Sequence, residues 1–283
     1  MDLTDLNVIK NFCKKYGVRP SKEFGQNFLI DREVLEEMVR TADLGKDDIV
    51  LEIGPGFGVL TEELIGRVKK VVTVETDRKM AKILGEILDA PKNLEIVEND
   101  ILKIANYELG VKDYKYKIVA NLPYQITSAV FRKFLSEEPR PSELTVMVQK
   151  EVAERICATA GEMSLLSLSV QFYGQPEIVA VVPRSAFWPE PEVDSAILKI
   201  FNIKEVCEKN KEKIDPEKFF RLTKIGFSAR RKQLQNNLAG GLRLPNKTVQ
   251  DILAKNGFNP KIRAQDLSVD DWIRLINNLL SSE

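Results

Sequence analysis

From about residue 49 to 150, short β-branched runs alternate with helix-like stretches, and this alternation limits the fold more than any other feature. IVLEI precedes TEELIGRV, VVTVE precedes RKMAKILGEIL, LEIVEND follows, YKIVAN precedes ITSAVFRKFL, and LTVMVQ precedes KEVAERICA. Apolar runs separated by helices predict βαβ units, hence a parallel sheet with helices on both faces. The pattern then changes. SLSVQFY, EIVAVVP and SAILKIF read as strands with little helix between them, which predicts antiparallel additions at one edge and an end to the sheet near residue 203.

A charged, apolar-poor stretch, KEVCEKNKEKIDPEK, leads into a region without strand signals. Residues 216–282 read as helices: PEKFFRLTKIGF, RRKQLQNNLA, KTVQDILAKNGF and VDDWIRLINNLL. Ser268, three residues before Asp271, predicts a capping box for the last of them, and Gly257 a stop for the one before. The expected fold is α/β: a Rossmann-like domain over 1–203, mostly parallel with an antiparallel edge, and a small helical domain over 204–283.

Composition narrows the chemistry. The chain has no histidine, which removes every imidazole mechanism and the zinc sites that depend on it. Cys13, Cys157 and Cys207 are widely spaced and form no zinc or redox motif, so no metal is expected. No apolar run approaches a membrane span, and MDLTDLNVIKNFCKKYG lacks the pattern of a secretory leader, so a cytoplasmic, membrane-free protein is expected. It is expected to act as a monomer.

LEIGPGFGVLTEEL places Gly54, Gly56 and Gly58 between a strand and a helix, where the backbone turns tightly and approaches a ligand closely. The dinucleotide fingerprint fails at Val59; the form present is E-x-G-x-G-x-G. It resembles the first motif of class I S-adenosylmethionine-dependent methyltransferases, which hold a nucleoside and an amino acid. Glu75 ends the next strand, where an acid accepts hydrogen bonds from ribose hydroxyls. Asp100 ends the strand after that and is placed to take an adenine amino group. Taken singly, each acid also reads as a solvated strand end or a helix cap. Together the three features share one rim of the sheet.

The fourth strand brings Asn121-Leu122-Pro123-Tyr124 to that rim. The exocyclic amine of adenine is a poor nucleophile because its lone pair is conjugated with the ring. The Asn121 amide oxygen and Leu122 carbonyl are candidates to accept its N–H groups and turn the lone pair toward a sulfonium methyl. Tyr124 offers a face on which an extruded base can stack. The same residues also read as a strand ending in a proline-stiffened turn.

GQNFLID (25–31), EIGPGFGVLT (52–61), VETD (74–77), NDIL (99–102), NLPY (121–124), VQKEVAERI (148–156), PEPEVDSAI (189–197) and FSARRKQLQNNL (227–238) resemble the ordered motifs of the KsgA-type small-subunit ribosomal RNA adenine dimethyltransferases. The resemblance runs from about residue 19 to the C-terminus. It implies S-adenosyl-L-methionine as cofactor, a pre-ribosomal small subunit as partner, and dimethylation at N6 of two adjacent adenosines near the 3′ end of its rRNA. It also implies that 1–203 is the methyltransferase domain, with 1–48 covering the cofactor site, and that 204–283 binds RNA. By position, Asn27 and Leu29 line the cofactor site with the glycines, Glu75 and Asp100. Asn121 serves cofactor and target amine, and Phe187 covers the base face opposite Tyr124. The alternative for Phe187 and Trp188 is packing at the edge of the core. The chain departs from the family at Glu192, where a basic residue is common, and at SLLSLSV, where an aromatic-glycine pair is usual. The rival readings are a resistance-type methylase of large-subunit rRNA and a nonenzymatic RNA-binding assembly or transcription factor on the same fold.

Formal charge is zero, with 42 acids and 42 bases, yet residues 217–247 hold eight basic residues against Glu217 alone. Arg230, Arg231 and Lys232 are the densest part and the candidate RNA-phosphate contacts. The competing role is pairing with acids of the catalytic domain.

Overall fold

The computed structural model describes residues 1–20, 26–111 and 115–280. Its elements begin with α1 (Leu6–Tyr16), β1 (Phe28–Leu29), α2 (Arg32–Thr41), β2 (Ile49–Ile53), α3 (Val59–Ile65), β3 (Lys70–Glu75) and α4 (Arg78–Ile87). They continue through β4 (Leu94–Glu98), β5 (Tyr116–Asn121), α5 (Thr127–Ser136), β6 (Glu143–Gln149), α6 (Lys150–Ile156), α7 (Leu165–Gln171), β7 (Gln175–Val182), β8 (Phe187–Trp188) and β9 (Ser195–Phe201). Five helices close the chain: α8 (Ile203–Lys213), α9 (Pro216–Gly226), α10 (Leu234–Leu242), α11 (Asn246–Lys255) and α12 (Val269–Leu280).

Two compact units result, one of Met1–Ala153 with Pro176–Ile203, the other of Glu154–Gln175 with Lys204–Glu283. The division expected at residue 203 thus differs from this grouping by the segment 154–175. The first unit holds a seven-stranded sheet in the order β4-β3-β2-β5-β6-β9-β7. β2, β3, β4, β5 and β6 pair in parallel, and β9 joins β6 antiparallel, from Gln149 opposite Ser195 to Leu144 opposite Ile200. The apolar runs are continuous because both faces are covered: Val50, Leu51, Val71, Val72, Ile118 and Val119 are fully buried. Strand order reverses between β2 and β5, so their carboxyl ends splay their loops apart and open a crevice. The glycine loop and the NLPY loop both leave the sheet there.

In the second unit, Asp215 caps α9 by accepting from the Glu217 N–H, with Pro216 at the first helical position. The Ser268–Asp271 capping box is present: the Ser268 N–H donates to Asp271 Oδ2 and the Asp271 N–H to Ser268 Oγ. Gly257 ends α11 with φ at +79°, and the Phe258 N–H closes on the Leu253 carbonyl. Trp272 is the centre of packing. A Cβ on Gly226 would lie 2.3 Å from its ring, so only glycine lets α9 pass so close. Among the described residues, no helix is long and apolar enough to cross a membrane.

Two expectations fail here, for SLSVQFY and for RRKQLQNNLA, and a helix is added between them. SLSVQFY is not a strand; residues 165–171 form α7. Ser164 Oγ accepts the Ser167 N–H while Ser167 Oγ accepts the Ser164 N–H, and Leu168 and Phe172 bury one helical face, so the alternation in S-L-S-V is accidental. The Phe172 ring packs at a tilt against Phe219, centroids 4.5 Å apart, within the second unit. The charged stretch after residue 202 is helical because Ile203, Cys207, Asn210 and Ile214 recur on one buried face that the charges around it concealed. RRKQLQNNLA is helical only from Leu234. Arg230, Arg231 and Lys232 lie in the preceding turn, where the Lys232 N–H donates to the Ala229 carbonyl.

Candidate active site

A cavity of about 330 Å³ opens at the rim of the first unit's sheet, within the size range of small-molecule sites. The loop after β2 contributes Gly54 and Gly56, with φ at +68° and +59°, a region that other residues enter only under strain. An added Cβ would stand 3.4 Å from Pro123 at Gly54 and 3.2 Å from the Phe28 ring at Gly56. The glycine loop is therefore pressed between the NLPY loop and the segment carrying β1. Gly58 behaves differently. It does not line the cavity, and its Cβ would fall 2.6 Å from Leu84, so it is a packing glycine that lets α3 start against α4.

Glu75 and Asp100 line the same cavity from the ends of adjacent strands. Glu75 Oε1 accepts the Asp77 N–H at 2.9 Å, which pins the carboxylate, while Oε2 takes no hydrogen bond from the described residues. Burial pushes the Glu75 carboxyl above its ordinary range, opposed by the N–H groups of Asp77 and Thr76. Asp100 Oδ1 accepts the Leu102 N–H, turning the chain so that Ile101 and Leu102 add an apolar wall. Glu52 lies behind this wall of acids. Its side chain is fully buried, Thr61 Oγ1 donates to its Oε2 at 2.7 Å, and burial, with Glu75 nearby, pushes its pKa up to about 8.

Asn27, Leu29, Asn121 and Pro123 complete the lining in the positions the motifs imply. Gly25, the first residue of GQNFLID, lies outside the described residues. Asn121 Nδ2 donates to the Asn27 carbonyl at 3.3 Å. A carbonyl partner accepts only an N–H, so the amide oxygen must face the other way. The Leu122 N–H is taken by the Met147 carbonyl, which holds the peptide after Asn121 on the sheet although the Leu122 side chain is buried away from the cavity. Tyr124 is half-buried outside the cavity lining, and its hydroxyl lies 2.9 Å from Ser195 Oγ. Burial holds the phenol above its ordinary pKa, so it remains an O–H.

The position of Phe187 favours the packing alternative over the base-covering role. It is 3% exposed, pairs with Leu29 across β1 and β8, and belongs to the core cluster with Val119, Met147 and Ile197. Its apolar ring is taken by packing. The sequence reading missed the aromatic wall: Phe28, within GQNFLID, and Phe57, within the glycine loop, have ring centroids 4.6 Å apart and both line the cavity. Their position inside motifs was the available signal.

In the second unit, the turn carrying Arg230, Arg231 and Lys232 is exposed, and none of the three forms an ion pair with a described residue. The buried Asn237 side chain shapes it, donating to the carbonyls of Gly226 at 2.6 Å and Ala229 at 3.1 Å. The second asparagine of RRKQLQNNL thus builds the turn that presents the cations.

A family model described as ribosomal RNA adenine dimethylase matches residues 18–280. A protein of Dehalococcoides mccartyi named ribosomal RNA small subunit methyltransferase A is 46% identical over 263 residues, covering 93% of this chain and 89% of its own. One of Bacillus mycoides with the same name is 38% identical over 99% of this chain and 98% of its own. Among solved structures, a dimethyladenosine transferase from Plasmodium falciparum matches with a TM-score of 0.75 and 27% identity, covering 89% of this chain and 97% of that one. The 23S rRNA methyltransferase ErmE matches at 0.71 and 30%, covering 89% and 99%.

Proposed function

Because this chain belongs to the ribosomal RNA adenine dimethylase family, we propose a division of labour among its residues for the reaction of that family. The protein is a methyltransferase that dimethylates adenine N6 in small-subunit ribosomal RNA. Its substrate positions are two adjacent adenosines near the 3′ end, and its methyl donor is S-adenosylmethionine.

The cavity suits that donor. Gly54 and Gly56 leave room for it where any Cβ would meet Pro123 or Phe28. Glu75 offers an oxygen for the ribose hydroxyls, and Asp100 with Ile101 and Leu102 forms a half-polar slot for the adenine. When bound, S-adenosylmethionine supplies a methyl group activated by a positive sulfonium. The chain's own work is to present the amine. Asn121 Oδ1 and the Leu122 carbonyl accept the two N–H groups, so the nitrogen lone pair leaves conjugation with the ring and points at the methyl carbon. Tyr124 supports the extruded base by stacking, worth ~1–3 kcal/mol. Displacement is then direct, and the rate comes mainly from proximity and alignment. The proton shed by the alkylated nitrogen is acidic and needs no imidazole.

The observation that carries this reading is the hydrogen bond from Asn121 Nδ2 to the Asn27 carbonyl, which orients the amide oxygen. Replacing Asn121 by Ala removes an acceptor that works in the reaction and leaves RNA binding nearly intact. The single-turnover rate is expected to fall by at least a hundredfold, with RNA affinity within about threefold of wild type. Methylation at wild-type speed would remove Asn121 from the chemistry.

A further inference from the structure

Ser195 opens β9 fully buried, a hydroxyl at the head of the apolar run AILKIF. A buried hydroxyl costs stability unless it is hydrogen-bonded, and alanine would fill the same place without that cost. Its partner is the Tyr124 hydroxyl at 2.9 Å. Tyr124 ends the NLPY turn, where Leu122 and Asn121 are already fixed, but a tyrosine ring still turns about two bonds of its own. A contact at the far end of the ring fixes the first of these, and because a phenolic O–H lies near the plane of its ring the same bond favours one setting of the second. Ser195 itself cannot drift, because its strand is locked into the sheet opposite Gln149 and the adjoining Asp194 carbonyl accepts the Lys150 N–H. Asp194 Oδ1 also accepts the Arg184 N–H, so the start of β9 is tied on two sides.

We propose that Ser195 is a positioning residue: its hydroxyl holds the Tyr124 ring in the place where the target adenine stacks on it. This rests on the assignment of Tyr124 as the stacking face, and it gives the serine of the VDSA segment a part in catalysis that strand formation alone does not require. Tyrosine in place of phenylalanine at position 124 follows from the same bond, since a stacking face needs no hydroxyl.

The test is a double-mutant cycle with Ser195→Ala, Tyr124→Phe and both together. Its readouts are the single-turnover methylation rate on small-subunit RNA, the melting temperature, and fluorescence of RNA carrying 2-aminopurine at the target adenosine. Each single variant is expected to slow methylation about tenfold at unchanged cofactor affinity. The double variant should be no slower than either single, because all three lack the same bond. Quenching of the bound 2-aminopurine should weaken in both singles, reporting a looser stack. Wild-type rate and full quenching in Ser195→Ala, or in Tyr124→Phe alone should Ser195→Ala not fold, would overturn the proposal, as would a lower melting temperature with the rate untouched. Failure of the wild-type protein to methylate small-subunit RNA would instead overturn the assigned function.

Discussion

Glu52, one residue from the end of β2, sits in the interior of the sheet and is held by Thr61. With its pKa near 8 in the folded protein against 4.5 ordinarily, the native state keeps a proton that the unfolded chain releases between those values. The folded form then binds more protons, so this group's contribution to stability is full below pH 4.5 and is lost as pH rises toward 8. Glu52→Gln keeps an acceptor for Thr61 without the charge, and the fall in stability across that window should flatten, by several kcal/mol at most. Urea unfolding at several pH values measures it. At Glu75, alanine removes the oxygen assigned to the ribose, and calorimetric affinity for S-adenosylmethionine should drop by tenfold or more, as loss of a charged hydrogen bond costs about 1.5–3 kcal/mol. Unchanged affinity would take Glu75 out of the site. Gly58→Ala should act on the fold instead: its Cβ meets the fully buried Leu84 at 2.6 Å and its φ is +88°. A loss of roughly 1–3 kcal/mol in a melting experiment is expected, with a smaller effect on cofactor affinity than Glu75→Ala.

At the scale of elements, the turn at 228–233 carries the cations, and its prediction is electrostatic. If Arg230, Arg231 and Lys232 neutralise phosphates, replacing all three by Ala should flatten the dependence of log affinity on log salt by up to about two units, taking ~0.7 per single-strand contact. Cofactor affinity should not move. A purely structural role predicts a lower melting temperature with the salt slope unchanged. That these residues occupy a turn was not legible in the sequence, because the Asn237 bonds that close it span eight and eleven residues. The parallel strands were legible, since burial on both faces writes itself as unbroken β-branched runs. The helices at 165–171 and 203–213 were not, one because serine capping mimicked period-two alternation and the other because charge surrounded its narrow buried face. In the site, the glycine loop, Glu75, Asp100 and Asn121 were readable from their places at strand ends. For Phe187 two roles stayed open, because sequence position cannot tell a ring at the rim from one turned into the core.

For the whole molecule, zero net charge means that RNA is not drawn in by the overall field, so local basic surface and the shape of the substrate must supply recognition. The central claim is the identity of the methylated base, and it is tested by incubating the protein with methyl-labelled S-adenosylmethionine and isolated small and large ribosomal subunits separately. Mass spectrometry of nuclease fragments should find two methyl groups on N6 of each of two adjacent adenosines near the 3′ end of the small-subunit RNA, and none on the large. Label confined to large-subunit RNA, or no transfer to either by protein that binds the cofactor, would contradict the account.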